Sequence, residues 1–374
     1  MGFEVGALPV FPWNTLAPYA AIARAHPRGI VDLSVGTPVD PTPAVVQAAL
    51  AAAADSPGYP TTHGTPALRQ AVVDWFARRR GVPGLDPAAV LPTVGSKEFV
   101  ALLPSLLGLG AGDVVVHPST AYPTYDVGAR LAGATPLPAD DVDAWRGQDV
   151  ALVWLNSPGN PDGRVRSAAE LRAVVDAARA AGAVVASDEC YAELAWDEPW
   201  ASGGVPSLLD PRVSGGDLTG LLAVYSLSKQ SNLAGYRAAF VAGDPALVAG
   251  LVETRKHLGM IVPGPVQAAM TAALADDEHV AVQRERYRVR RARLLGALGA
   301  AGLEVDGSAA GLYLWARPAG AGQDCWSTIR DLAELGILAA PGSFYGVAAA
   351  GHVRLALTAT DERIAEAAAR LTGA

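Results

Sequence analysis

The sequence predicts an α/β fold built on parallel strands, with a second, smaller sheet toward the carboxyl end. Three observations lead there. Residues 151–155 (ALVWL) are an apolar run, residues 168–182 an amphipathic stretch closed by Gly182, and AVVASDE from Ala183 another apolar run. Strand, helix and strand at this spacing make a parallel βαβ unit. GLYLWARP (residues 311–318) reads as a strand far from the first set, placed to begin another sheet. At 374 residues the chain can bury a large core and exceeds the usual size of a single domain.

Hydrophobic residues make up 51% of the chain and charged residues 18%, the balance of a globular chain and not of a disordered one. A net charge of −8 leaves no basic footprint for nucleic acid. The six histidines are scattered, without metal-ligand spacing. Cys190 and Cys325 are the only cysteines and make no CxxC pair, which fits a reduced cytoplasm with neither a disulfide framework nor a zinc site. MGFEVGALPVFPW lacks a basic region followed by an apolar core, so no secretory leader is expected. The best apolar run, residues 100–112, is broken by Pro104 and glycines and is too short to cross a membrane.

In chain order, prolines at 9, 12, 18, 27 and 38 mark the first forty residues as an arm with a short helix. Residues 31–35 read as a strand that runs into a Gly-Thr-Pro loop, and residues 44–54 as a helix of small residues. Thr65-Pro66 opens the next helix, with Leu68, Val72, Trp75 and Phe76 at helical spacing. Arg78, Arg79 and Arg80 read as its solvated basic end before Gly81. VLPTVGSKEF is strand, tight turn and helix. Free N–H groups and the dipole at a helix start make the turn Gly95-Ser96-Lys97 a candidate anion site, although Lys97 alone is more often a surface charge. Residues 114–116 form the next buried strand, followed by a loop with Tyr122 and a helix. The strand 151–155 ends at Asn156, and Asn-Ser-Pro-Gly-Asn-Pro is too rich in turn residues to be helical. Asp188 closes the strand after the amphipathic helix, where the ligands of βαβ units gather. Taken alone it would serve equally as a cap. VPGPVQAAMTAAL begins a helix, and residues 278–298 make a long one whose basic run from 284 to 293 reads as solvated surface. HVRLALTAT puts Arg354 in a strand-like run, and Asp361 is expected to cap the last helix.

The stretch that organises the rest is LLAVYSLSKQSNLAGYRAAF, residues 221–240. An apolar strand, 221–225, turns polar at Ser226, Ser228 and Lys229, and Arg237 follows Gly235. Burial disfavours the charged form of an amine, and a neutral amine can form a Schiff base with a carbonyl. Two hydroxyls and an arginine beside it can hold a phosphate. Together they suggest pyridoxal phosphate, which needs an imine-forming lysine and a phosphate anchor. The competing reading is a strand-end lysine with an unrelated arginine nearby.

S-x-S-K-x-x-x-x-x-G-x-R resembles the cofactor-lysine signature of class I/II aminotransferases, the fold-type I pyridoxal-phosphate enzymes. The resemblance extends over nearly the whole chain. It implies that Lys229 carries the cofactor and later moves the proton at the substrate Cα, with Ser226, Ser228, Arg237 and the Gly95-Ser96-Lys97 turn on the phosphate. Tyr122 aligns with the aromatic that stacks on the pyridine ring. Asn160, in a loop similar to the family's N-x-P-x-N-P-T-G, and Tyr191, in D-E-x-Y, align with the groups that bond the ring hydroxyl. Asp162 stands where that loop usually has threonine, a departure that touches turn chemistry more than catalysis. Asp188, forty-one residues before the lysine, matches the partner of the pyridine nitrogen. Lys229, Asp188 and Tyr191 are thus the implied catalytic residues.

On the substrate side the resemblance implies Gly36, Asn160 and Arg354, the arginine gripping the α-carboxylate with its planar fork. Tyr59, in Y-x-x-x-x-G-x-x-x-L-R, is implied to reach the partner's cofactor phosphate across a homodimer. The implied fold is a three-layer large domain over residues 46–280, with a smaller α+β domain formed by residues 1–45 and 281–374.

At finer grain, FPW, VDLSVGTPVDPTP, GYPTTHGTP, SLSKQSNLAGYR and HVRLALTATDER resemble the N-succinyl-diaminopimelate aminotransferases of actinobacterial lysine biosynthesis. That resemblance implies glutamate as amino donor and a succinylated 2-amino-6-oxopimelate as acceptor. Fold-type I carbon–sulfur lyases and transaminases for other amino acids share the same cofactor residues. Regulators with an aminotransferase-like sensor domain carry a DNA-binding module ahead of it, which this acidic chain does not suggest.

Overall fold

The computed structural model describes residues 8–9, 11–320, 322 and 324–373. The stretch read as lacking a leader includes residues 1–7 and 10, which lie outside that set. In chain order the strands are β1 (Val31–Asp32), β2 (Val90–Val94), β3 (Val114–His117), β4 (Thr135–Pro138), β5 (Val150–Asn156), β6 (Val184–Asp188) and β7 (Leu221–Ser226). They continue as β8 (Ala238–Gly243), β9 (Leu303–Val305), β10 (Tyr313–Pro318), β11 (Ile337–Leu338), β12 (Ala340–Pro341) and β13 (Val353–Ala356).

Seven strands form one sheet in the order β2-β8-β7-β6-β5-β3-β4. β8 is antiparallel to both of its neighbours, and every other pair is parallel. Parallel strands need both faces covered, which is why β7 is buried at every position and reads as a continuous apolar run. Its residues alternate between two cores. Leu222 and Val224 join Phe99 and Leu103 of helix Ser96–Leu106, Tyr125 of Thr124–Ala132 and Leu251 of Pro245–Leu258. Ala223 and Tyr225 join Trp75 and Phe76 of helix Pro66–Arg80, Val175 of Ala168–Ala181 and Met270 of Gly264–Ala275. The result is three layers, helices on either face of one sheet.

The four strands β12-β13-β10-β9 form an antiparallel sheet, and β1 pairs in parallel with β11. Leu314 and Leu355 of the small sheet pack with Tyr287 and Leu294 of helix Glu278–Ala300, Ile329 of Cys325–Glu334 and Ile364 of Asp361–Thr372. Leu16 and Ala20 from the amino-terminal helical segment enter the same core.

Four expectations are corrected. The strand at 31–35 is only Val31–Asp32, because it meets a two-residue partner and then bends away. Arg80 is not a solvated helix end. Its side chain is 1% exposed and pairs with the equally buried Glu189 at 2.9 Å, while Arg79 pairs with Glu193. The basic run from 284 to 293 is not all surface either, since Arg290 is buried between Asp40 and Asp361. The last helix is capped by Thr360, whose hydroxyl accepts the Arg363 N–H, and Asp361 is its first residue.

Candidate active site

The register of the large sheet sets Asn156 beside Asp188 and Asp188 beside Val224, so β5, β6 and β7 end together. Ligands of parallel sheets bind outside these carboxyl ends. A cavity of about 460 Å³ opens there. Its walls include Gly36, Ser96, Lys97, Tyr122, Asn160, Asp188, Tyr191, Ser226, Ser228, Lys229, Arg237 and Arg354. Two residues expected at the site stand apart. Gly95 lies behind Arg237, and Tyr59 is fully exposed, at 101%, and is not in the cavity wall of its own chain.

Lys229 sits in the short helix Leu227–Gln230 that caps β7, half-buried, and its amine donates to the Gly36 carbonyl. The buried Ser226 hydroxyl donates to Ser228 Oγ at 2.8 Å and accepts the Ser228 N–H at 3.2 Å. Arg237 adopts a left-handed backbone, φ 55°, and anchors one nitrogen on the Ala234 carbonyl at 3.0 Å. Its guanidinium lies against Gly95. A Cβ at Gly95 would come within 2.1 Å of Arg237 Nη2, and φ of 79° there further favours glycine. The helix Ser96–Leu106 begins at this point, and its first residues, Ser96 and Lys97, line the same cavity as Arg237. Lys97 is exposed at the mouth, 5.2 Å from the Phe11 ring centre and 5.5 Å from that of Tyr122.

Asp188 forms the floor. Its Oδ1 accepts the Cys190 N–H at 3.3 Å and its Oδ2 accepts the Tyr125 hydroxyl at 3.1 Å. Desolvation raises its pKa above the ordinary carboxylate value, against the pull of the Cys190 and Tyr125 hydrogen bonds. Burial pushes the Cys190 thiol and the Tyr125 and Tyr191 phenols well up, so all three are protonated at neutral pH.

Arg354, on β13, is 2% exposed. It donates to Asn160 Oδ1 at 2.9 Å and to the Ser34 carbonyl at 2.7 Å, and its Nε is buried with no partner among the described residues. Asn160 is itself held by its N–H to Asn156 Oδ1 at 2.8 Å. The Tyr313 ring centre lies 3.9 Å from the Arg354 guanidinium carbon, and the Tyr313 and Tyr191 hydroxyls are 3.2 Å apart. A Cβ at Gly36 would come within 2.2 Å of the Tyr313 hydroxyl, so a larger residue at 36 would displace this tyrosine.

Sequence reasoning missed Tyr125, Asn156, Tyr313 and Trp13 as site residues. Tyr125 lies in the first turn of helix Thr124–Ala132, just after the loop that carries Tyr122, and that nearness was the available signal. Asn156 was legible only as the end of a strand. Tyr313 and Trp13 arrive from distant segments, and neither segment marks them.

Among the described residues no cluster of histidine, cysteine, aspartate and glutamate could hold a metal, and no helix is long and apolar enough to cross a membrane. A profile of the family described as aminotransferase class I and II matches residues 28–371. The chain is 60% identical over 367 residues to the probable aminotransferase Rv1178 of Mycobacterium tuberculosis, covering 98% of this chain and 86% of that one. It is 57% identical over 365 residues to 4-dedimethylamino-4-oxo-anhydrotetracycline transaminase OxyQ of Streptomyces rimosus, covering 98% and 99%. The solved structure of a probable N-succinyldiaminopimelate aminotransferase from Thermus thermophilus superposes with a TM-score of 0.86 at 29% identity, over 96% of this chain and 99% of that one. The chain belongs to the class I and II aminotransferases, pyridoxal-phosphate enzymes that act on amino acids and 2-oxo acids.

Proposed function

We propose that Lys229 is the cofactor lysine, and that the enzyme moves an amino group between glutamate and N-succinyl-2-amino-6-oxopimelate on the way to diaminopimelate and lysine. The observation that carries the site reading is that the Lys229 amine, the Asp188 carboxylate and the Arg354 guanidinium line one cavity from three different elements. Pyridoxal phosphate fits these residues. The glycine at 95 leaves room for Arg237, which with Ser226, Ser228 and the helix start at Ser96 makes a cradle for a phosphate. Asp188, desolvated and bonded by Tyr125, suits a cationic ring nitrogen at the other end.

When bound, the cofactor supplies a sink for the electron pair released at the substrate Cα. The chain's own groups do the rest. Lys229, held by the Gly36 carbonyl, takes the Cα proton and returns it. Asp188 keeps a positive charge beside it favourable in a dry setting. Arg354 meets the substrate α-carboxylate, and its unpartnered Nε–H leaves bonding capacity for it. Tyr122 would pack on the cofactor ring, and Asn160 and Tyr191 would hold its hydroxyl. The full exposure of Tyr59 favours its action on a second copy, in a cytoplasmic homodimer with shared sites.

The acceptor reading rests on the five similar segments and on the likeness to the Thermus protein. A second reading has its own support. A mostly apolar chamber of about 750 Å³ adjoins the cavity, walled by Phe11, Trp13, Tyr122 and Phe344, and it favours a ring-bearing acceptor like that named for the Streptomyces relative. The test is purified enzyme with glutamate and a panel of acceptors: the succinylated and free oxopimelates, oxaloacetate, aromatic 2-oxo acids and a fused-ring ketone. The succinylated acceptor should have the highest kcat/KM. Equal or better turnover of any other would overturn that assignment, and release of ammonia with pyruvate from a cysteine thioether supplied without acceptor would mark a lyase.

A further inference from the structure

Residues 36–43 are the second part of the connection from β1 to helix Ala44–Ala52 and carry prolines at 38, 41 and 43. Proline has no N–H to give a sheet, so this segment must be held by side chains. Gln47 donates to the Thr42 carbonyl at 2.7 Å and Lys229 to that of Gly36, and the middle of the segment is held by one connected group. The Asp40 carboxylate accepts Arg290 Nη1 at 2.8 Å, Arg290 Nη2 at 2.6 Å and Gln283 Nε2 at 2.8 Å. The other end of the same Gln283 amide accepts Asn232 Nδ2 at 2.9 Å, and Asn232 Nδ2 also donates to the Pro41 carbonyl at 3.2 Å. Arg290 is fixed in turn by Asp361 at 2.6 Å. Gln283 and Arg290 are 3% and 2% exposed. Asn232 lies three residues after Lys229 and holds a left-handed backbone, φ 55°, which asparagine tolerates better than most residues.

The Lys229 amine meets the Gly36 carbonyl, and the segments that carry these two groups are tied together by the buried Gln283 amide and by the direct bond from Asn232 to the Pro41 carbonyl. We propose that Asn232, Gln283 and Asp40 form a clasp that sets the 36–43 segment over Lys229, and so are positioning residues for the reaction. They act through the Gly36 carbonyl and the Lys229 amine. The clasp rests on the roles proposed for those two groups, while its existence as a mechanical unit is measurable without any substrate. With the clasp open, the segment spends time away from Lys229, and substrate binding must close it. Apparent affinity then falls by the closed fraction, while the bound geometry is kept.

The deciding variant is Asn232→Gly, because glycine keeps the left-handed backbone and removes only the side chain. Gln283→Leu removes the bridge from Asn232 to Asp40 and leaves the Asn232–Pro41 bond. Hydrogen exchange is read by mass spectrometry on cofactor-free and cofactor-loaded protein. In Asn232→Gly, amides of residues 34–42 should exchange about tenfold faster, with β5 to β7 unchanged. With glutamate as the amino donor, KM should rise by roughly five- to tenfold and kcat change by less than about threefold. Adding Asp40→Asn to Asn232→Gly should cost less than the two single effects combined, as for members of one unit. Unaltered exchange in 34–42 overturns the clasp, and so does an equal rise across the whole chain. If Gln283→Leu does not fold, Asn232→Gly decides alone. If glutamate gives no turnover, exchange still decides, and the fault lies with the donor assignment.

Discussion

The Tyr125 hydroxyl donates to Asp188 Oδ2 at 3.1 Å, in a setting where burial raises the pKa of both groups. A carboxylate with one phenol and one amide N–H for company is poorly compensated for its lost water. It is arranged for a positive partner and not for its own stability.

Asp188→Asn should therefore separate function from stability. The folded protein binds the Asp188 proton more tightly than the unfolded chain, whose carboxyl titrates near the ordinary value of 3.8. Its contribution to stability is full below that value and is lost as pH rises through the raised one. In cofactor-free protein at pH 7, Asp188→Asn should melt no lower than wild type, and the difference should shrink as pH falls toward the ordinary carboxylate value. Turnover should fall by ~10²-fold or more. A variant within a few-fold of wild type would assign the ring nitrogen to another residue.

Lys229→Ala should bind the cofactor but lose turnover, because the covalent hold and the proton carrier vanish together. Borohydride treatment of wild-type holoenzyme, followed by peptide mapping, should place the reduced adduct on Lys229. An adduct on the exposed Lys97 or Lys256 would overturn the assignment.

Glu189→Gln should destabilise the fold. The Arg80–Glu189 pair is 1% exposed on both sides, and Glu189 also accepts the Leu208 N–H at 2.7 Å. Removing one charge of a buried pair costs about 3–5 kcal/mol. Denaturant unfolding measures this, and a loss below about 1 kcal/mol would show that water or a rearranged partner compensates Arg80.

Tyr59→Phe should weaken cofactor retention by roughly tenfold, the loss of one hydrogen bond worth ~1 kcal/mol or somewhat more if charge-assisted. Mixed dimers of Lys229→Ala and Tyr59→Phe chains provide the sharper measurement. The site that keeps Lys229 lies on the Tyr59→Phe chain and receives Tyr59 from its partner, so wild-type retention should return there. Retention no better than in the Tyr59→Phe homodimer, or an active monomer in sedimentation, would place Tyr59 in its own chain's site or in none.

Much of this architecture was legible because its signals are local. A continuous apolar run means a strand covered on both faces, as in β7, and Gly81 and Gly182 mark helix ends through a left-handed backbone that few residues adopt. Charge was read less well. Arg78, Arg79 and Arg80 look alike in sequence, yet two residues along the helix, about half a turn, separate a half-exposed Arg78 from an Arg80 sealed against Glu189. Arg290 was hidden in its basic run for the same reason. Whether a charge is solvated depends on which distant carboxylate faces it.

The sequence by itself determined the α/β class and most strands of the large sheet, and the resemblance carried by the short settings of Lys229, Asp188 and Arg354 implied the cofactor. Tertiary structure alone decided how those settings meet. It set Asn156 beside Asp188 through strand register, laid Tyr313 across Gly36 and Arg354, and tied Asn232 to Asp40 through Gln283. These contacts join residues far apart in the chain. Their existence depends on packing two cores against each other, and no local preference of the backbone encodes that.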